Sequence, residues 1–118
     1  MAIRVSSTVR IPAGGDKTID EYVGRLATGT KSLSVAHMIA PPGWDEPFQQ
    51  PTFDEATIVI RGGLRVETDG GVFDVVAGDV ILVESGERVR YSNPFREECE
   101  YYAVCTPAFS LEAAHREG

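Results

Sequence analysis

The chain has 118 residues and a formal net charge of -7, so it forms one domain able to bury roughly two thirds of the surface its unfolded form would expose. The acidic balance counts against nucleic acid or an anionic membrane as partner, since each repels a negative surface that lacks a dominant basic patch. Arg88, Arg90 and Arg96 come nearest to such a patch, but they are interspersed with acids. No apolar run at the N-terminus has signal-peptide length, and none anywhere approaches the ~20 residues needed to span a bilayer. A soluble cytoplasmic protein is expected.

In chain order, PAGG at 12 to 15 marks a first turn, and DKTIDEYVG reads as a turn or a short helix. LSVAHMIA at 33 to 40 reads as a strand with two unlike faces. Leu33, Val35, His37 and Ile39 form the bulkier set, Ser34, Ala36, Met38 and Ala40 the smaller. If the bulkier set faces the interior, His37 points inward. A PPG turn at 41 to 43 follows, and TIVI at 57 to 60 is apolar on both faces, which predicts cover by another strand or by a second subunit. In ETDGGVFDV the Asp-Gly-Gly supplies the positive φ values of a tight hairpin. Further turn signals at AGD, SGE and NP separate short runs rich in Val, Ile, Thr, Tyr and Phe. YYAVC reads as a strand that holds Cys99 and Cys105 about 20 Å apart, too far to bond. Two free thiols fit a reducing compartment. The last element is a short helix over SLEAAHRE, capped by Ser110, with Glu112 in its first turn and His115 at its solvated end.

Two spaced motifs carry more information. From Gly43 the chain reads GWDEPFQQPTFDEATIVIRG, and from Gly78 it reads GDVILVESGERVRYSN. Both resemble the motifs of the cupin superfamily, G-x5-H-x-H-x3-E-x6-G and G-x5-P-x-G-x2-H-x3-N, with no gap inside either. Gly43, Glu55, Gly62, Gly78, Gly86 and Asn93 fall where the family places them. The resemblance covers about residues 33 to 107 of a single domain spanning 1 to 118. It implies an all-β double-stranded β-helix, or jelly-roll barrel; the residues add the short C-terminal helix, and a dimer is expected.

At the four ligand positions of the resemblance stand Gln49, Pro51, Glu55 and Val89. Pro and Val cannot coordinate through their side chains, and an amide oxygen is a poor replacement for imidazole. No metal site of the usual geometry and no cofactor are expected. One escape is a mixed site formed by His37, Gln49 and Glu55.

Candidate chemistry then falls to His37, Glu55 and Tyr91. An imidazole accepts or donates a proton near neutral pH, and an inward carboxylate without a metal needs either a donor or a raised pKa. His37 reads equally as a core histidine bonded to Glu55 or to a carbonyl, and Tyr91 equally as core filler. Gln49, Trp44, Asn93, Tyr101 and Cys105 are candidates for lining a substrate pocket, with Trp44 also placed to pack at the rim.

Three functions remain open. The first is a metal-independent lyase or isomerase acting on a small polar metabolite such as a sugar, nucleoside or hydroxy acid. The second is a non-catalytic small-molecule-binding module. The third is a relative of the cupins of ethanolamine utilisation, weakened by the absence of a phosphate-loop motif.

Overall fold

A computed structural model describes residues 1 to 117. It contains nine strands and one short helix: β1 (Val9–Ile11), β2 (Thr18–Val23), β3 (Ser34–Ala40), β4 (Asp54–Arg61), β5 (Gly63–Thr68), β6 (Gly71–Val76), β7 (Val80–Val83), β8 (Val89–Ser92), β9 (Cys99–Thr106) and α1 (Leu111–Ala114). The strands form a six-stranded sheet in the order β1-β2-β3-β9-β4-β7 and a three-stranded sheet in the order β6-β5-β8. Every pairing is antiparallel. The inner faces of the two sheets enclose one core containing Val59, Leu64, Val66, Val75, Val83 and Val89. This is the jelly-roll arrangement predicted from the motifs.

Local signals set several elements. The β5–β6 hairpin closes with Thr68 opposite Gly71, around Asp69 and Gly70, but of the Asp-Gly-Gly residues only Gly71 takes a positive φ, +151°. Ser110 caps α1, its Oγ accepting from the Ala113 N–H at 3.1 Å. Gly62, the last glycine of the first motif, has φ +77°, and a Cβ there would collide with the Glu98 carbonyl. No other residue fits that close approach without moving the backbone.

Two expectations are corrected. DKTIDEYVG is no helix: Thr18–Val23 is strand β2, with Ile19 and Glu21 buried while Asp20 and Tyr22 face out. Its period of two had the pattern of a half-buried strand, although Asp and Glu obscured it. On β3 the faces are reversed, because Ser34, Ala36 and Ala40 are buried while Val35, His37 and Ile39 lie on the outer face. Register explains why. Inside, Ala36 is opposite Ala103 and Met38 opposite Tyr101, so small residues leave room for the ring. Outside, His37 lies opposite Tyr102 and meets its ring edge-on at 5.1 Å. The bulkier face of a strand is thus not always its inner one when the outer face is also apolar.

The outer face of the six-stranded sheet is rich in apolar side chains. Ile60, Val80 and Leu82 are 48%, 60% and 63% exposed, so another strand does not cover the surplus face of β4. Among the described residues no helix is long and apolar enough to cross a membrane.

Candidate active site

A cavity of about 40 Å³ opens between the sheets, lined by groups from both ends of the chain. Strands β4, β8 and β9 contribute Glu55, Tyr91, Tyr101 and Cys105, which alternation turns inward. The segment before β4 adds Glu46 and Gln49, β2 follows Lys17, and the C-terminal segment adds Arg116. Arg116 reaches the cavity because the chain after α1 returns beside residues 48 to 50. There Gln50 N–H donates to the His115 carbonyl at 3.2 Å and Glu117 N–H to the Phe48 carbonyl at 2.8 Å. A second, outer opening of about 170 Å³ shares Lys17, Ile19, Glu46 and Arg116 with the inner cavity. Those four side chains therefore form the wall between inner site and mouth.

The electrostatics of the cavity are unusual. Burial, reinforced by repulsion from Glu46, raises the Glu55 pKa to about 7, while Lys17, Tyr91 and Arg116 oppose the shift. Burial also raises the Glu46 carboxyl, and it lowers the Lys17 ammonium. Tyr91 is pushed well up by burial and then by the nearby Glu55 charge, and the Cys105 thiol is pushed up by burial. Neither phenol nor thiol is ionised near neutral pH. Arg116 holds Gln49 Oε1 through Nε at 3.4 Å and Glu46 Oε2 through Nη2 at 3.6 Å. Those contacts are long. Glu46 Oε2 and Tyr91 Oη are both buried without a hydrogen-bond partner, and although the Tyr91 phenol moderates Glu55, no hydrogen bond closes between them.

Comparison with known proteins gives the lineage. The model of the Cupin domain family matches residues 36 to 105. The chain belongs to the cupin family. Three solved cupin-like folds resemble it at the level of fold. A Klebsiella pneumoniae protein with a double-stranded β-helix domain has a TM-score of 0.70 at 21% identity, covering 92% of this chain and 90% of that one. A predicted oxalate decarboxylase from Thermotoga maritima has 0.71 at 24%, covering 91% and 99%. A putative ethanolamine utilization protein Q from Salmonella typhimurium has 0.61 at 23%, covering 79% and 71%. In sequence, a Myxococcus xanthus protein named Endoribonuclease YbeY is 46% identical over 115 residues. The match takes in 98% of this chain but only 39% of that protein.

Cupins commonly hold a metal, and the donors here do not fit one. Gln49 lies in the cavity and Val89 in the apolar core, while Pro51 is buried with no donor atom in its side chain. Among the described residues, no group of three His, Cys, Asp or Glu side chains is placed to hold an ion. The mixed His37, Gln49 and Glu55 alternative fails on geometry, because His37 is on the other face of β3.

The predicted site residues thus divide. Glu55, Tyr91, Gln49, Tyr101 and Cys105 meet in the cavity. His37 does not, and its Nε2 instead lies 2.7 Å from Glu100 Oε2 on the outer sheet face. Asn93 is fully buried, donating from Nδ2 to the carbonyls of Ala40 and Glu97 at 3.1 and 2.8 Å and accepting from Phe95 N–H at 3.0 Å. It is a fastener between strand ends. Trp44 is buried outside the inner cavity, with the Lys17 ammonium 4.1 Å from its ring centroid, and so supports Lys17 instead of stacking on a ligand. Sequence reading missed Lys17, Glu46 and Arg116. Glu46 lay inside the first motif and Lys17 at the start of an unrecognised strand, whereas nothing local marked Arg116.

Proposed function

We propose that this cupin is a metal-independent acid–base catalyst, of lyase or isomerase type, acting on a small polar metabolite inside the barrel. The observation that carries the reading is the convergence of Glu55, Glu46 and Tyr91 on one enclosed cavity, with two buried polar atoms lacking partners. Buried polar groups are nearly always paired, so a polar ligand is the natural complement to Glu46 Oε2 and Tyr91 Oη. A carboxyl titrating near 7 exchanges protons at neutral pH in both directions. Glu55 is then the proton donor and acceptor, Tyr91 positions an oxygen, and Gln49 orients the ligand from the inner wall and Arg116 from the mouth. At about 40 Å³ the cavity favours the smallest hydroxy acids over sugars and nucleosides.

A second reading draws on the Myxococcus relative, in which a matching segment makes up 39% of a longer protein. On that reading this cupin is a non-catalytic ligand-binding module. The charge of -7 disfavours direct RNA binding through this unit, since phosphate-backbone affinity depends on cationic side chains. The ethanolamine reading keeps only the fold likeness in its support. We further propose that a second copy covers the outer apolar face.

A thermal-shift screen of hydroxy acids and small sugars, followed by incubation of each hit in deuterated water, tests the enzyme reading. Deuterium wash-in that disappears in Glu55→Gln is the expected result. Binding without wash-in in the unaltered protein would support the module reading and sink the enzyme.

A further inference from the structure

Lys17 is a chemically unusual amine in this chain. It is one of two lysines, the other being exposed Lys31. Its Nζ lies 4.1 Å from the centroid of the Trp44 ring and 5.3 Å from that of Tyr101. Among the described residues it pairs with no carboxylate at ion-pair distance. Two aromatic faces thus hold the nitrogen at the wall shared by the inner cavity and the mouth, without committing its lone pair or protons to a structural bond. The groups that act on its charge are Glu46, Glu55 and Cys99, which favour the ammonium, and Arg116, which disfavours it. The rings also favour the cation. Burial outweighs these and moves the group toward the neutral amine. A desolvated lysine amine beside a proton donor is the arrangement that attacks carbonyl carbon.

Resting on the pocket reading above, we propose that Lys17 condenses with the carbonyl of a small oxo acid, forming an imine inside the barrel while Arg116 holds the acid's carboxylate at the mouth. The Nζ lone pair forms the C–N bond as the carbonyl π pair moves to oxygen. One proton from the nitrogen and one from the neutral Glu55 carboxyl leave with that oxygen as water. The products are a protonated imine on Lys17 and an ionised Glu55, an internal ion pair that replaces two neutral groups. No oxidant or external co-reactant is required. Arg116 suits the carboxylate because its own contacts, 3.4 Å to Gln49 and 3.6 Å to Glu46, are long enough to be exchanged for a bidentate partner.

The test is reductive trapping. The full chain is incubated with pyruvate, and separately with acetaldehyde, then treated with borohydride and mapped by peptide mass spectrometry. The expected result is one reduced adduct per chain on Lys17, with Lys31 labelled at least tenfold less. Pyruvate should outpace acetaldehyde, and Arg116→Met should remove that preference. Lys17→Met, checked for an unchanged melting profile, should abolish the adduct. Equal labelling of Lys31 and Lys17, or no Lys17 adduct with either probe, overturns the proposal. If it falls while Glu55→Gln still removes deuterium wash-in, the acid–base reading stands without the imine; loss of wash-in dependence with an intact adduct does the reverse.

Discussion

Gln49 and Val89 exchange both of their backbone hydrogen bonds, Gln49 N–H to the Val89 carbonyl at 2.9 Å and Val89 N–H to the Gln49 carbonyl at 2.8 Å. Two positions where the cupin motifs carry ligating histidines are therefore a directly paired couple, although 40 residues separate them in sequence. The scaffold of the metal site persists without its donors. Replacing Gln49, Pro51 and Val89 together by His should restore a three-His-one-Glu set with Glu55 and give zinc or nickel binding near one ion per chain by elemental analysis. Val89→His alone, burying an unpaired imidazole in the core, should cost about 1 to 3 kcal/mol. A folded triple variant that binds neither ion would contradict the register of the two motifs.

Glu55 should shape the pH dependence of stability. Its folded pKa is about 7 and its ordinary value 4.5, so between those values the folded state holds more protons than the unfolded one. Stability from this group then declines as pH rises from about 4.5 to about 7 and is level above that. Glu55→Gln should flatten this slope and raise stability above pH 7 by on the order of 1 to 3 kcal/mol. Denaturant titrations at several pH values measure it. An unchanged slope would mean that Glu55 is ionised throughout.

His37 offers a contrast. Its partner Glu100 is held below the usual carboxylate range chiefly by the hydrogen bond from His37, and both side chains are partly solvated, 20% and 29% exposed. His37→Ala should change the melting temperature little and leave ligand-induced shifts and any turnover intact. Loss of turnover in a well-folded His37→Ala protein would return the histidine to the site.

Asn93 is expected to matter for stability alone. Removing its amide leaves the Ala40 and Glu97 carbonyls and the Phe95 N–H without their partners. Asn93→Ala should cost about 3 kcal/mol by urea unfolding. Ligand affinity, measured well below the melting transition, should be preserved.

The outer face gives a test of assembly. If a second copy covers Ile60, Val80 and Leu82, then Leu82→Glu should shift the protein from dimer to monomer in sedimentation equilibrium, since a buried carboxylate would face apolar surface. A wild-type protein that sediments as a monomer at all concentrations would leave that face to another role.

What the amino-acid sequence determined by itself was whatever depends on neighbours along the chain. Turn glycines such as Gly62, the Asp69–Gly70 hairpin, the Ser110 cap and the two-residue alternation that turns Glu55, Tyr91, Tyr101 and Cys105 to one side are local, so spacing alone reveals them. The same logic located the first and second motifs, and with them the barrel. It failed where the outcome depended on which surfaces came together. Both faces of β3 are plausible interiors until Tyr101 and Ala103 of β9 are set against it, and only then do Ser34 and Ala36 go inward and His37 outward. Asn93 satisfied the motif, but only the meeting of three strand ends made it a fastener and not a ligand-binding group. The convergence of Lys17, Glu46 and Arg116 on Glu55 is wholly tertiary. These residues come from the two ends and the middle of the chain, and the shifts of Lys17, Glu46 and Glu55 arise from shared burial, which no local pattern records.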